Sequence, residues 1–251
     1  MTILENFKIL QQVGEYEKLL KKLGFHEAKL SPNDLSNFYF ENTKEIYNFL
    51  PVYTHEVLQN YFENEKNIPN EEVLMFCTDE LQNFGIAKLE ADDIYIISSI
   101  NGLIDEDDED EEGHTSYKGE RDFIPYEFDD KFARLLFNYL NENEELINYE
   151  FELRRVISGI LNEHMILPLK EMTTILNKLN FKIDENYLYR FLNFKVGIGV
   201  FNMFLDESSE KTIVQIIGRG ISPSENKDYL NFDANKFNYS VDYYVGRGTH
   251  F

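Results

Sequence analysis

Eight consecutive carboxylates in the middle of the chain limit what this sequence can fold into more than any other feature. The run consists of Asp105, Glu106, Asp107, Asp108, Glu109, Asp110, Glu111 and Glu112. No packed core can absorb it, because like charges repel one another and each carboxylate prefers water to a protein interior. The run is therefore expected to be solvated and to separate two more ordinary halves of the chain.

The acidic run has three interpretations. As a cation site it would offer oxygen ligands, and Asp108, Asp110, Glu112 and Gly113 approximate the opening of an EF-hand loop. The twelfth position is Gly119 instead of a bidentate glutamate, which disfavours ion binding. As an extended chain the run spans roughly 26 Å and has a charge density similar to that of single-stranded nucleic acid, so it could occupy a basic groove. The third interpretation is a solvated linker.

The negative charge of the protein is concentrated around this run. Residues 31–147 hold seven basic and twenty-nine acidic side chains, a net charge of −22 that equals the net charge of the whole chain. This field repels nucleic acid at long range and favours a protein partner with a basic surface. Acidic residues are so numerous that no pair of them indicates a general acid and base.

Outside the run the sequence is typical of a folded protein. Its apolar content of 43% predicts a packed core. Cys77 is the only cysteine, so no intramolecular disulfide is expected, and its place on an apolar helical stripe predicts a buried, inert thiol. The N-terminus lacks the pattern of a signal peptide, and no apolar stretch approaches the roughly 18 residues of a membrane span. A cytoplasmic protein is the expectation.

Hydrophobic spacing predicts a mainly helical α+β protein made of two modules. The first module covers residues 1–104, an acidic flexible linker covers 105–120, and the second module covers 121–251 and ends in a β-rich tail. In each module, apolar residues at helical spacing precede a short β-hairpin. This is the order of winged-helix proteins, so both modules are predicted to be winged-helix-like. Many proteins use this arrangement without binding DNA, so the fold alone does not define a function.

Particular elements follow from the same spacing. Residues 3–23 are predicted to form an amphipathic helix, weakened at Gly14. Residues 86–89 and 94–97 are predicted to pair as the first hairpin. In the second module, Asp184 is predicted to cap a helix over residues 185–193, and residues 196–205 and 212–217 are predicted to pair as strands.

The sequence carries no local signature of catalysis or metal binding. It has no P-loop and no nucleophile elbow. The histidines are not spaced as neighbouring metal ligands; they are His26, His55, His114, His164 and His250. We therefore expect no enzyme and no cofactor, with an enzyme whose carboxylate site is assembled from distant residues as an alternative.

Two further sets of residues were weighed as binding groups. A candidate nucleic-acid surface comprises Lys170, Lys178, Lys182, Arg190 and Lys195, interleaved with Tyr187, Tyr189 and Phe191. Asp184 and Glu185 at the start of its helix would face phosphates unfavourably, and core packing explains the aromatic residues better. Arg219 and Arg247 each lie between two glycines after a strand-like segment; they are either turn residues or a pair that binds an anion or a partner carboxylate.

These features favour a non-enzymatic regulatory protein that binds a basic protein surface through the acidic run, Arg219 and Arg247. A specific form is a nucleic-acid mimic that antagonises a nucleic-acid-processing enzyme, as phage or plasmid anti-defence proteins do. A winged-helix-like nucleic-acid-binding regulator is the first alternative. The second alternative is the enzyme with a carboxylate-based site.

Overall fold

The computed structural model is that of a mainly helical α+β protein with short antiparallel strand pairs, the class that the hydrophobic spacing predicts. None of the helices in the described part of the chain is long and apolar enough to cross a membrane. The residues that the structure describes are 2–25, 30–64, 67–69, 72–89, 123–196, 201–206, 211–216, 232–236 and 240–245.

The chain divides into two compact units, each treated separately below. Unit 1 comprises residues 1–46 and 53–139, and unit 2 comprises residues 47–52 and 140–251. The sequence prediction assigned residues from 121 onward to the second module. In the structure the strand Phe123–Phe128 follows the acidic run but pairs with two strands that precede it, and it therefore belongs to unit 1.

The elements between the N-terminus and Glu142 are mostly helical. They are α1 (Ile3–Gln12), α2 (Tyr16–Lys22), α3 (Pro32–Glu41), α4 (Thr43–Tyr47), α5 (Thr54–Glu63), β1 (Asn67–Pro69), α6 (Glu72–Asn83), β2 (Ala87–Leu89), β3 (Phe123–Phe128) and α7 (Asp130–Glu142). The helix predicted over residues 3–23 is divided between α1 and α2. Gly14 lies at the break with a φ of +80°, a left-handed conformation that favours glycine.

The sheet of unit 1 has the strand order β1-β3-β2, and both pairings are antiparallel. The predicted hairpin partner of β2 was the segment 94–97, which lies outside the described residues. In the structure β2 pairs with β3, with Leu89 opposite Tyr126. The pairing therefore joins segments on both sides of the acidic run.

Tyr39 lies at the centre of the unit 1 core. Its side chain is fully buried, and its ring centroid lies 5.0 Å from that of Phe7 and 5.5 Å from that of Phe132. Its hydroxyl donates a hydrogen bond of 2.9 Å to the carbonyl oxygen of Phe84. The aromatic contacts join α1, α3 and α7, and the hydrogen bond satisfies the one polar group that this large side chain buries.

Cys77 is buried in unit 1, which confirms the prediction made from its helical stripe. Its Sγ lies 3.9 Å from Oγ1 of Thr54, and burial raises the pKa of the thiol well above its ordinary value. We expect this thiol to react with a disulfide reagent about 10³-fold or more slowly in the native protein than in denaturant, because reaction requires opening of the unit. Stoichiometric reaction of the native protein at the denatured rate would contradict the buried position.

Unit 2 is built around the longest helix. Its elements are α8 (Glu144–His164), β4 (Ile166–Pro168), α9 (Leu169–Lys178), α10 (Glu185–Arg190), a π-helical turn (Phe191–Lys195), β5 (Phe201–Asp206), β6 (Lys211–Ile216), a 3₁₀ turn (Ala234–Lys236) and α11 (Val241–Val245). Asp184 caps α10 as predicted, since its Oδ1 accepts a hydrogen bond of 2.6 Å from the amide of Tyr187. The predicted pairing of the two later strands is confirmed in β5 and β6, which are antiparallel. The strand predicted in the tail at residues 240–245 is wrong, because Val241–Val245 forms the helix α11, which packs on α8.

Both units arrange their described strands in the same way. In the sheets β1-β3-β2 and β4-β6-β5 the last strand in the sequence lies in the middle, and the first strand lies at an edge. Each first strand ends in a proline, Pro69 or Pro168, shortly before a helix. Proline lacks an N–H group, so it is tolerated at the end of an edge strand. The two units therefore share a strand order that no obvious sequence repeat predicts.

Candidate functional site

The residues that the sequence predicts for partner binding lie outside the described parts of the chain. This holds for the acidic run, Asp105 to Glu112, and for Arg219 and Arg247. Their role stays a prediction. The described residues do place the candidate nucleic-acid surface, the buried charges and many of the exposed carboxylates.

The candidate nucleic-acid surface is only partly a surface. Lys195 and Phe191 are buried, and the Nζ of Lys178 donates a hydrogen bond of 2.9 Å to the carbonyl oxygen of Ala234. Asp184 and Glu185, which oppose phosphate binding, are exposed, as are Lys170, Lys182, Tyr189 and Arg190. Four basic side chains of the candidate surface are thus exposed beside the two acidic ones, namely Lys170, Lys178, Lys182 and Arg190.

Lys195 belongs to a buried cluster with Tyr47 and Glu150, and all three residues are part of unit 2. The Tyr47 hydroxyl donates a hydrogen bond of 2.5 Å to Oε2 of Glu150, and Nζ of Lys195 lies 3.2 Å from the same oxygen. Nζ also donates a hydrogen bond of 2.8 Å to the carbonyl oxygen of Tyr47 and lies 3.1 Å from the centroid of its ring. The ammonium group therefore has an anion, a carbonyl and an aromatic face around it.

Burial controls the electrostatics of the cluster. The side chains of Lys195 and Glu150 are each 5% exposed. Desolvation lowers the pKa of the Lys195 amine to about 8, and the charge of Glu150 opposes this shift only in part. The pKa of the neighbouring Tyr187 hydroxyl is raised, first by burial and then by the charge of Glu150. The ion pair thus partly offsets the cost of burying two charges.

The cluster has a structural geometry, which holds a segment of the chain in place and does not expose reactive groups. The amine of Lys195 and the carboxylate of Glu150 are both enclosed, so neither is presented to a substrate in solution. The main chain reinforces the contact, because the amide of Val52 donates a hydrogen bond of 2.9 Å to the carbonyl oxygen of Lys195. Phe49 and Phe194 add a ring contact with a centroid distance of 5.2 Å. Together these groups attach the segment 47–52 to the π-helical turn and to α8.

Sequence reasoning missed this cluster, although one signal was present. Glu150 lies on the helical stripe that includes Ile147, Leu153 and Ile157, all of which are buried. A carboxylate in such a position is rarely buried unless a partner neutralises it. The signal does not identify the partner, because Lys195 and Tyr47 are far away in the sequence and only the fold brings them together.

Acidic side chains distinguish the two units more than basic ones do. Unit 1 holds 12 basic and 30 acidic residues, whereas unit 2 holds 12 basic and 16 acidic residues. In unit 1, Glu41, Glu45 and Glu63 are exposed on helices and form no ion pair with another described residue. The excess is therefore carried partly by solvated carboxylates on ordered helices, in addition to the acidic run.

The described residues contain no group of three or more histidine, cysteine, aspartate or glutamate side chains arranged to hold a metal ion. Two of the histidines have aromatic neighbours. His55 stacks on Phe137 at a centroid distance of 5.4 Å, and His164 contacts the ring of Phe232 at 5.0 Å. Burial lowers the pKa of His164, while the charge of Glu163 opposes that shift.

The chain matches no protein-family model, and no curated protein or solved structure is detectably similar to it. Function is therefore inferred from the residues of this chain.

Proposed function

We propose that this protein is a non-enzymatic acidic interaction protein in which two winged-helix-like modules are joined by an acidic linker, and that unit 1 binds a basic surface on a partner protein. The observation that carries this proposal is the charge of the units, with 30 acidic residues against 12 basic ones in unit 1. Such a field accelerates the encounter with a basic partner and repels other acidic molecules.

The specific form of the proposal is an antagonist that competes with nucleic acid for a basic channel. An extended acidic run resembles a single strand in charge density, and the solvated carboxylates of α3, α4 and α5 extend the negative surface of the same unit. A nucleic-acid-processing enzyme of the kind that phage or plasmid anti-defence proteins inhibit is the partner that this chemistry fits. The acidic run is the proposed contact, with Arg219 and Arg247 as accessory groups.

A nucleic-acid-binding regulator is the second candidate function. It is favoured by the order of elements in unit 2, where α8, β4, α9, α10, β5 and β6 follow the winged-helix sequence, and by the exposed positions of Lys170, Lys182 and Arg190. Three observations weigh against it. Lys195 forms a buried ion pair with Glu150, Lys178 donates a hydrogen bond to the carbonyl oxygen of Ala234, and Phe191 is buried.

Two charge-matched variants test the leading proposal. The first replaces each Asp and Glu of the run 105–112 by Asn and Gln. The second changes eight exposed glutamates to glutamine and has the same net charge; these are Glu41, Glu45, Glu56, Glu63, Glu142, Glu144, Glu145 and Glu152. We expect the first variant to capture basic proteins from a native cell lysate about tenfold less well at low salt, because the run supplies the concentrated field.

The second variant is the control, and it should retain most of that capture. Capture is measured by quantitative mass spectrometry at low and high salt, with and without nuclease. Equal capture by the first variant and the unmodified protein would refute the role of the run. Recovery of nucleic acid itself, lost on nuclease treatment, would favour the regulator instead.

A further inference from the structure

The C-terminal part of unit 2 packs on helices α8 and α9 in two described pieces, residues 232–236 and 240–245. The first piece is held through the main chain of Ala234. Its amide donates a hydrogen bond of 3.0 Å to Oε2 of Glu171, and its carbonyl accepts one of 2.9 Å from Nζ of Lys178. Glu171 and Lys178 are seven residues apart on α9, so they lie on one face two turns apart. The helix therefore binds both polar groups of a single residue.

The burial of Ala234 explains why a small residue occupies this position. Its side chain is fully buried. A larger side chain would have to displace α9 or the turn, because packed interiors leave little spare volume. Glu171 and Lys178 thus form a clamp that binds both main-chain groups of residue 234, while the packing around its buried side chain favours a small residue. We call these two residues the α9 clamp.

The second piece is held by close packing. A Cβ atom added at Gly159 of α8 would lie 1.9 Å from the carbonyl oxygen of Tyr244, so the backbone of α11 approaches α8 where no side chain intervenes. The side chain of Tyr244 is fully buried. At the end of α8, His164 contacts Phe232, which gives the first piece an aromatic anchor as well.

Neither piece has a structure that would persist alone. Helix α11 has five residues and the turn at Ala234 has three, and isolated helices of that length are unstable in water. Their conformation depends on side chains and notches that α8 and α9 already provide. This is the relation between a peptide ligand and a helical docking surface.

We propose that the surface formed by Gly159, His164 and the α9 clamp is a peptide-binding site, and that the described pieces 232–236 and 240–245 are its ligand, bound within the same chain. The site accepts a peptide with a small residue between Glu171 and Lys178, an aromatic residue against His164 and a short helix across Gly159. It is separate from the proposed acidic contact of unit 1. A tethered ligand has an effective concentration of about 1 mM, so it blocks free peptide until it is released.

Exchange of the tail in the full chain tests this proposal. A protease site replaces residues 221–227, the purified protein is cut there, and a fluorescent peptide of residues 232–245 is added. We expect the peptide to bind the cut protein and to bind the uncut protein about 100-fold more weakly, measured by fluorescence anisotropy, because the tether keeps the site occupied. A peptide with Ala234→Leu should fail to bind the cut protein.

Substitutions in the clamp supply the control. Glu171→Met and Lys178→Met each remove one hydrogen bond to the main chain of Ala234. Each should weaken peptide binding to the cut protein about tenfold, the loss for one hydrogen bond to a charged group. Lys170→Met changes an exposed lysine of the same helix and should leave binding unchanged. The proposal is overturned if the cut tail never exchanges, if cut and uncut proteins bind equally, or if the clamp variants behave like Lys170→Met.

Discussion

Replacing Lys195 by methionine is expected to lower the free energy of unfolding by about 3–5 kcal/mol, the cost of removing one partner from a buried ion pair. The Glu150 carboxylate then stays buried without its cation, and the carbonyl oxygen of Tyr47 loses its hydrogen bond from Nζ. Urea unfolding followed by circular dichroism measures the change. Lys170→Met, at an exposed position of α9, is the matched control and should change stability by no more than about 0.5 kcal/mol.

A double variant distinguishes a buried pair from two independent residues. Lys195→Met combined with Glu150→Gln removes both charges, and the glutamine oxygen still accepts the hydrogen bond from Tyr47. We expect the double variant to recover at least about half of the stability lost by Lys195→Met, since no uncompensated charge remains. Losses that simply add would show that the two side chains do not act as a pair.

The same variants predict the sign of the pH dependence. Burial lowers the pKa of the Lys195 amine to about 8 from an ordinary value of 10.5. Between these values the unfolded chain binds a proton that the folded chain lacks, so this group makes the free energy of unfolding rise with pH, by about 3 kcal/mol in total. The neutral amine still donates to Glu150 and Tyr47. Lys195→Met should lack this rise between pH 8 and pH 10, and an equal rise in both proteins would assign it to other groups.

Local features of the fold could be predicted because neighbouring residues determine them. The cap of Asp184 depends on the amide of Tyr187, three residues away. The weak point predicted at Gly14, where the structure divides the helix in two, depends on the conformational freedom of one residue. The pairing of β5 with β6 joins strands that are adjacent in the sequence. In each case the signal lies within one short window.

Features that depend on distant residues could not be predicted in the same way. The strand Phe123–Phe128 pairs with β1 and β2 across the acidic run and belongs to unit 1, whereas the prediction placed it in the second module. Lys195 was assigned to a candidate nucleic-acid surface because its neighbours are basic and aromatic. Its burial is decided by Glu150 and Tyr47, which no spacing rule connects to it. A run of like charges can be recognised in the sequence. A pair of opposite charges that are distant in the sequence can be recognised only once the fold is known.

Replacing Gly159 by alanine adds a single methyl group and is expected to lower the free energy of unfolding strongly. The added Cβ would lie 1.9 Å from the carbonyl oxygen of Tyr244 and 2.6 Å from its carbonyl carbon. These are main-chain atoms, so rotation of a side chain cannot relieve the contact, and α11 must leave α8. Exposure of the buried Tyr244 ring then lowers the free energy of unfolding by about 3 kcal/mol. Glu152→Ala, at an exposed position of the same helix, is the control.

Two measurements identify the contact with α11 as the cause. In the intact Gly159→Ala protein, hydrogen exchange should show loss of protection at the amide of Tyr244, while the middle of α8 keeps its protection. In a chain that ends at residue 239, the same substitution should become stabilising by up to about 1 kcal/mol, because alanine favours a helix over glycine. A reversal of sign follows only if the cost arises from α11. Destabilisation in both chains would place the obstruction elsewhere around α8.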